Sequence, residues 1–266
     1  MNVEIKFWVG PTDYSLIAGH EIAGVVTKVG KNVTRLKVSD HAGISPQCSS
    51  CKSCSRCSSS EENLCETKIT LTYNDHWPTG DKTFGGYADK WRGDQHSTVG
   101  ILGIGGLGHF GILFAKAMGA TVIGLFSSDR KREAALELGC DDYVVTKNAE
   151  AMAKYTNKLT HIICTGVGED FTWEPYFNIL KANGVFINVN APEFSYPPVP
   201  LFMLLFKQII VKGSLTGTPS NTEEMLQFAA DKNIKAWYKK YSMKDVNKVI
   251  EDFRAGLPRF RFVLEN

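Results

Sequence analysis

The sequence predicts an α/β protein in which a doubly wound parallel sheet follows a β-rich, loop-rich segment carrying a cysteine lobe. Three observations lead there. From Thr98 onward, short apolar runs alternate with helical stretches, the rhythm of a parallel sheet assembled from βαβ units. The first of these runs ends in a glycine-rich turn that opens a helix, the signature of a dinucleotide-binding Rossmann unit. Upstream, five cysteines crowd together at Cys48, Cys51, Cys54, Cys57 and Cys65, a density suited to a metal rather than to a core.

Along the chain, Ile22 to Val29 reads as a strand, Gly30 to Asn32 as a turn and Ser49 to Glu62 as a polar lobe. Strands are expected at Val99 to Leu102, Thr121 to Phe126, Tyr143 to Val145, His161 to Thr165, Val185 to Val189 and Ile209 to Lys212. Between the first two, Leu107 to Met118 has a helical pattern closed by Gly119. The next helix is expected to start with Asp129 as N-cap and to end at Gly139. Ala191 to Pro200 carries four prolines and reads as a rigid connector. Asn221 to Asp231 and Met243 to Gly256 look helical, and Arg259 to Leu264 looks like a last strand. These boundaries suggest three segments: 1–97 with the metal lobe, 98–236 with the parallel sheet, and 237–266 as a C-terminal segment returning to the first.

Composition narrows the function. The 266 residues, 43% apolar and 22% charged, are globular material for one large or two modest domains. A formal charge of +2 gives no electrostatic case for nucleic acid or an anionic membrane, so a small molecule is the expected partner. Met1 to Gly10 contains Glu4 and Lys6 and lacks the apolar core of a signal peptide. Val199 to Val211, the longest apolar stretch, is interrupted by Lys207 and Gln208 and is too short to span a bilayer. A cytosolic location follows as the expectation. There thiols stay reduced, which favours a metal over a disulfide framework and accommodates an odd total of seven cysteines.

Cys51, Cys54, Cys57 and Cys65 are separated by two, two and seven residues. Four thiolates on so short a lobe can close a tetrahedron around zinc, leaving no position for water or substrate, so the site is structural. An iron–sulfur cluster is the competing reading, but the bacterial cluster run places three residues before a Cys-Pro pair, whereas Cys57 follows after two and precedes Ser58. Cys48 is a spare thiol beside the lobe, Cys140 follows a helix terminus and Cys164 lies in an expected buried strand. Chemistry has to be sought elsewhere.

Gly103, Gly105, Gly106, Leu107 and Gly108 lie in a GxGxxG run between a strand and a helix, where backbone N–H groups and the helix N-terminus can hold a pyrophosphate. A glycine-rich turn without ligand is the alternative. At the end of the second strand an NAD site usually offers an acid to the ribose; this chain has Phe126, Ser127, Ser128, Asp129, Arg130, Lys131 and Arg132. Hydroxyls and cations suit an extra 2′-phosphate, so NADP is expected, with Ser127, Ser128 and Lys131 as contacts. The alternative is a solvated first turn capped by Asp129. His41, His76, His96, His109 and His161 attract no assignment, and Phe194 and Tyr196 fit core or linker packing better than a substrate cleft.

Together with Gly19-His20-Glu21, Gly85-Gly86-Tyr87-Ala88, Gly213-Ser214 and Arg259 to Val263, these marks resemble the zinc-containing medium-chain alcohol dehydrogenases, and within them the NADP-dependent cinnamyl alcohol dehydrogenase group. The resemblance runs over nearly the whole chain in the family order. It implies a GroES-like domain carrying the structural zinc lobe, a Rossmann domain, dimers formed through the nucleotide domain, and interconversion of primary alcohols and aldehydes by hydride transfer. It also assigns His20 and Glu21 to a catalytic zinc site, as catalytic residues and metal ligands. The two cysteines that complete that site in the family have no counterpart: one would precede residue 1, and the other belongs to a segment absent between Tyr87 and Thr98. The chain is thus expected to be truncated at its N-terminus and to lack the interdomain segment. Three functions remain open: the alcohol dehydrogenase, with impaired catalysis; a non-catalytic NADP-binding protein with a structural zinc; and a zinc-independent NADPH reductase.

Overall fold

The computed structural model describes residues 22–26, 28–29, 33–34, 36–44, 47–71, 97–256 and 259–265. Contacts group the chain into two compact units, one made of Met1–Trp91 with Leu215–Phe228 and the other of Arg92–Ser214 with Ala229–Asn266. In the first unit β1 (Ile22–Val25) pairs antiparallel with β2 (His41–Ile44). The strand expected to reach Val29 ends four residues earlier, although Val26 still exchanges backbone hydrogen bonds of 2.8 Å with Ser39 and Asp40. The turn expected at Gly30 to Asn32 lies outside the described residues. A second antiparallel pair, β3 (Gln47–Ser50) with β4 (Ile69–Leu71), clamps the base of the cysteine lobe. The lobe itself holds only a single turn of helix, α1 (Ser55–Ser58), and a 3₁₀ turn at Glu62–Leu64.

The second unit contains the predicted sheet. Its strands are β5 (Thr98–Leu102), β6 (Thr121–Phe126), β7 (Asp142–Val145), β8 (Leu159–Cys164), β9 (Leu180–Asn188) and β10 (Ile210–Gly213). All pair in parallel, in the order β10-β9-β8-β5-β6-β7. Each central strand is buried on both faces, which is why it reads as a continuous apolar run instead of an alternating one. The helices are α2 (Gly108–Ala117), α3 (Arg132–Glu137), α4 (Ala149–Ala153) and α5 (Glu174–Ile179). On one face Leu125, Leu159, Ile162, Phe177, Leu180 and Phe186 form a core with almost no exposed surface.

Gly119, at φ +87°, closes α2 as expected. Asp129 does not act as a cap: Ser128 precedes a 3₁₀ turn at Asp129–Lys131, α3 begins at Arg132, and the Asp129 carboxylate accepts from Arg132 Nε at 2.6 Å. The ion pair with Arg132 competes for the oxygen that an N-cap would have used. The 191–200 connector has no regular structure and is held on the core, with Trp173 Nε1 donating to the Pro197 carbonyl at 2.8 Å and the Tyr196 ring 5.2 Å from Phe171.

Two further elements differ from the sequence expectation. The apolar run beyond the connector forms a helix, α6 (Leu201–Lys207), whose Leu201, Phe202, Leu205 and Phe206 are 71–75% exposed. Beyond α7 (Pro219–Asp231), a strand β11 (Tyr238–Ser242) pairs in parallel with β12 (Arg261–Glu265), with a 3₁₀ turn at Met243–Asp245 and α8 (Val246–Arg254) between them. A run of two tyrosines, two lysines and a serine carries little apolar signal and no alternation, so β11 leaves no trace in the pattern. This ribbon groups with the parallel sheet, and its start packs on the glycine-rich turn. Among the described residues no helix is long and apolar enough to cross a membrane.

Candidate metal centre and nucleotide site

The four cysteines of the expected zinc site converge. The sulfurs of Cys51, Cys54, Cys57 and Cys65 all lie within 4.8 Å of one another, with Cys51–Cys57 and Cys54–Cys65 each at 3.8 Å. A tetrahedron with Zn–S bonds of about 2.3 Å has edges of about 3.8 Å, so the donor set fits zinc. The thiols are all free, and backbone N–H groups already serve Cys51 Sγ: Ser53 N lies at 3.5 Å and Cys54 N at 3.3 Å. Those two backbone donors, Ser53 first, pull the Cys51 thiol down to about 5, presenting a thiolate before any metal arrives. At Cys57 the Ser50 hydroxyl pulls down but burial and the neighbouring Cys54 and Cys65 thiols prevail, raising it to about 11. Such mutual resistance to ionisation is relieved by a divalent cation.

Cys48 stands outside this quartet. Its Sγ lies 3.6 Å from the Thr70 carbonyl oxygen and 3.5 Å from that of Leu71, across the β3–β4 pair. Cys140 and Cys164 are buried in the sheet unit, and burial raises both thiols, to about 12 and about 11. Cys164 belongs to the core cluster, as its strand pattern implied. The residues expected at a catalytic zinc, His20 and Glu21, lie outside the described residues.

The glycine run sits at the carboxyl end of β5, where the sheet order reverses between β6 on one side and β8 on the other, the place at which open α/β sheets bind ligands. Gly103 has φ +87°, and a Cβ there would meet the Gly166 carbonyl oxygen at 2.6 Å. A Cβ on Gly108 would come within 2.0 Å of the Gly103 carbonyl oxygen. Both glycines are therefore demanded by the tightness of the turn. Gly105 differs: nothing lies within 4 Å of its missing side chain, so the turn has an open face at which a pyrophosphate can approach the backbone. Leu107 precedes the first helical residue and is 37% exposed. Thr165 Oγ1 donates to the Gly103 carbonyl at 2.6 Å and fixes the turn from β8.

Ser127 and Ser128 follow β6 directly, at the same end of the sheet. The basic run beside them is sorted by its partners. Arg132 is committed to Asp129 and, through Nη1, to the Tyr143 carbonyl at 3.0 Å. Arg130 lies over the Phe126 ring, 5.2 Å from its centroid. Lys131 has no carboxylate partner among the described residues; its ammonium stands 4.8 Å from the Phe260 ring centroid. Burial first, then the charges of Arg130 and Arg259, lower its affinity for a proton. An ammonium flanked by two guanidiniums, with no acid partner among the described residues, is chemically suited to receive an anion.

Sequence reasoning passed over three residues here. His109, in the first turn of α2, is fully buried, with Nδ1 2.9 Å from the Gly106 carbonyl oxygen. Since that oxygen only accepts, Nδ1 carries the proton and Nε2 a lone pair, and Nε2 has no partner among the described residues. Burial, then the Arg261 charge, lowers His109 to about 4. Arg261, at the start of β12, lies so close to the turn that a Cβ on Gly106 would stand 2.9 Å from its Nε. Phe260 precedes it and packs on His109. Only the family run from Arg259 to Val263 hinted at this end of the chain, without placing it at the cofactor. A separate concavity of about 560 Å³ lies at the amino ends of the strands, lined by Thr98, Thr121, Asp141, Asp142, Tyr155 and Lys158 among others, on the side away from the glycine turn. Its carboxylates are engaged, Asp141 with Lys116 at 2.8 Å and Asp142 with the Tyr155 hydroxyl.

Comparison with known proteins agrees with this geometry. Residues 2–109 match the model of the alcohol dehydrogenase GroES-like domain, and residues 106–231 that of the zinc-binding dehydrogenases. A probable cinnamyl alcohol dehydrogenase of Populus deltoides is 34% identical over 304 aligned positions, covering 98% of this chain and 83% of the relative. That alignment is longer than the chain, so the relative carries residues that have no counterpart here. A cinnamyl alcohol dehydrogenase of Sorghum bicolor superposes with a TM-score of 0.86 at 29% identity, over 95% of this chain and 82% of that one. The Helicobacter pylori cinnamyl alcohol dehydrogenase complexed with NADP(H) gives 0.81 at 26%, over 95% and 82%. With the cysteine quartet, the open glycine turn and the order of the sheet in agreement, the chain belongs to the zinc-containing medium-chain alcohol dehydrogenases, in their cinnamyl alcohol dehydrogenase-like group.

Proposed function

We propose that this chain is an NADP(H)-dependent oxidoreductase acting on primary alcohols and aldehydes, with a complete nucleotide site and structural metal site and an incomplete catalytic metal site. The observation that carries the reading is the pairing, at one end of one sheet, of a glycine turn open at Gly105 with an ammonium, Lys131, that has no carboxylate partner among the described residues. In this reading the backbone N–H groups of Gly103 to Gly108 and the Arg261 guanidinium hold the pyrophosphate. Ser127, Ser128 and Lys131 hold the 2′-phosphate, and Cys51, Cys54, Cys57 and Cys65 hold one structural zinc. When bound, the nicotinamide exchanges a hydride with the substrate carbon, and a catalytic zinc would polarise the substrate oxygen. His20 and Glu21 are the residues of this chain that would serve that zinc. The domains follow the family arrangement, 1–97 GroES-like, 98–236 nucleotide-binding and 237–266 C-terminal, in a cytoplasmic protein.

A second reading, a non-catalytic NADP-binding protein, is favoured by a specific observation. All seven cysteines are described: four form the quartet, Cys48 lies beside it and two are buried in the sheet unit, and among the described residues no second metal-ligating cluster forms. Metal analysis with alcohol-dependent NADPH formation separates the two. Two zinc ions per chain with turnover of a primary aryl or allyl alcohol support the first reading. One zinc, tight NADPH binding and no turnover leave the second.

The partner of the nucleotide unit is a second copy of this chain. β10 is an edge strand with every residue exposed, and α6 beside it presents Leu201, Phe202, Leu205 and Phe206. A two-fold axis through such an edge lets the same apolar face cover itself and pairs the free strand edge, a closed solution to two liabilities at once.

A further inference from the structure

We propose that Phe260 is a positioning residue for nucleotide selection: its buried ring, set between the His109 imidazole at the mouth of α2 and the Lys131 ammonium beside Ser127 and Ser128, aims that ammonium at a 2′-phosphate. The proposal rests on the reading of Lys131 as the 2′-phosphate contact. Phe260 is 4% exposed, and its ring stacks on His109 at 5.3 Å between centroids and an interplanar angle of 14°. Trp237 lies 6.0 Å away, and its carbonyl accepts from the backbone N–H of Phe260 at 3.0 Å and of Arg261 at 3.2 Å. The ring is thus fixed from Trp237, just before β11, from α2 and by its own backbone. Its place is set before any cofactor arrives.

Lys131 gains from this what its sequence position denies it. A lysine side chain is a compact charge on a flexible four-carbon stem, free to sweep a wide volume of solvent. Here burial penalises the ammonium, Arg130 and Arg259 repel it, and no described carboxylate holds it. The face of an aromatic ring is the remaining attraction, negative at its centre and apolar enough to carry the stem. Meanwhile the residue after Phe260, Arg261, reaches Gly106 on the pyrophosphate turn. Two consecutive residues of the C-terminal segment therefore serve the two phosphate positions of one dinucleotide. Phe260 touches no phosphate; it acts through Lys131.

The test measures dissociation constants of NADPH and NADH, and of 2′,5′-ADP and 5′-AMP, which differ only in the 2′-phosphate, for the full chain and its variants. Phe260→Leu removes the ring face and should reduce the preference for the 2′-phosphorylated ligand of each pair by roughly three- to tenfold, the loss falling on the phosphorylated member. Phe260→Tyr keeps the face and should retain the preference. Equal weakening of both members, the outcome for a residue that only packs, overturns the proposal, as does an unchanged preference. Should Phe260→Leu not fold, replacing the ring by its pentafluoro analogue keeps the shape and reverses the ring's charge distribution; the same reduction is expected, and its absence overturns the proposal. Lys131→Gln separates the two levels. If it abolishes the preference and the Phe260 changes do not, Phe260 alone is wrongly assigned. If wild type shows no preference, or Lys131→Gln leaves it intact, the 2′-phosphate reading fails and this proposal with it.

Discussion

His109 shows how one side chain can tie stability to pH at a binding turn. Its neutral form is required in the folded state, because the imidazole is buried beside the Arg261 charge. Folding therefore lowers its pKa from 6.5 to about 4. The sign follows directly: above 6.5 neither folded nor unfolded chain protonates here and the contribution is complete, whereas below it the unfolded chain takes up a proton that the folded chain refuses. Stability should fall as pH drops from 6.5 towards 4, by on the order of 3 kcal/mol over the window. Urea unfolding at pH 7 and pH 4.5 measures this, and His109→Gln, which cannot titrate, should flatten the slope; an equally steep slope in the variant would assign the acid sensitivity elsewhere. The basic run makes the complementary point. Arg130, Lys131 and Arg132 are equivalent as letters, yet Asp129 turns back onto Arg132, whereas Arg130 lies over Phe126 and Lys131 over Phe260 with no carboxylate partner among the described residues.

At the scale of elements, the metal lobe is the segment least able to hold itself. Residues 51–68 contain one turn of α-helix and one 3₁₀ turn, with no buried residue in either. A loop with so little apolar burial cannot offset its conformational entropy, so the metal has to do so. Cys57→Ser should therefore lose one zinc per chain and raise amide exchange across 47–71, while NADPH binding, built on the other compact unit, persists. Loss of NADPH binding along with zinc would show that the lobe supports the nucleotide site as well. The β11–β12 ribbon also buries little of β11, whose residues other than Tyr241 are exposed, but it has an apolar anchor in Phe260 at its root.

For the whole molecule, the exposed row on α6 is large for a protein surface. Four side chains of one short helix each more than 70% exposed, followed in the chain by an edge strand with Ile210 at 52%, are exposed apolar surface of the kind that marks an interface. The protein should sediment as a dimer at micromolar concentrations. Leu205→Glu with Phe206→Glu should convert it to monomers, since two buried like charges on each side of a two-fold cannot be accommodated. A monomeric wild type would overturn this reading.

The sequence by itself determined the family, the parallel sheet, the cysteine quartet and the glycine turn. Each depends on local spacing or on a period the chain repeats: two residues between thiols, glycines where no Cβ fits, apolar runs where both faces of a strand are covered. It missed α6 because a short apolar run looks the same whether buried in a core or laid bare on a surface. It missed β11 because a polar strand has no pattern of its own. Tertiary structure alone decided that Arg132, and not Lys131, is paired with a carboxylate among the described residues, and that His109 is neutral. It also placed Phe260 and Arg261 on a turn about 150 residues upstream. Those outcomes depend on which charges and rings meet in space, and separation along the chain carries no record of that.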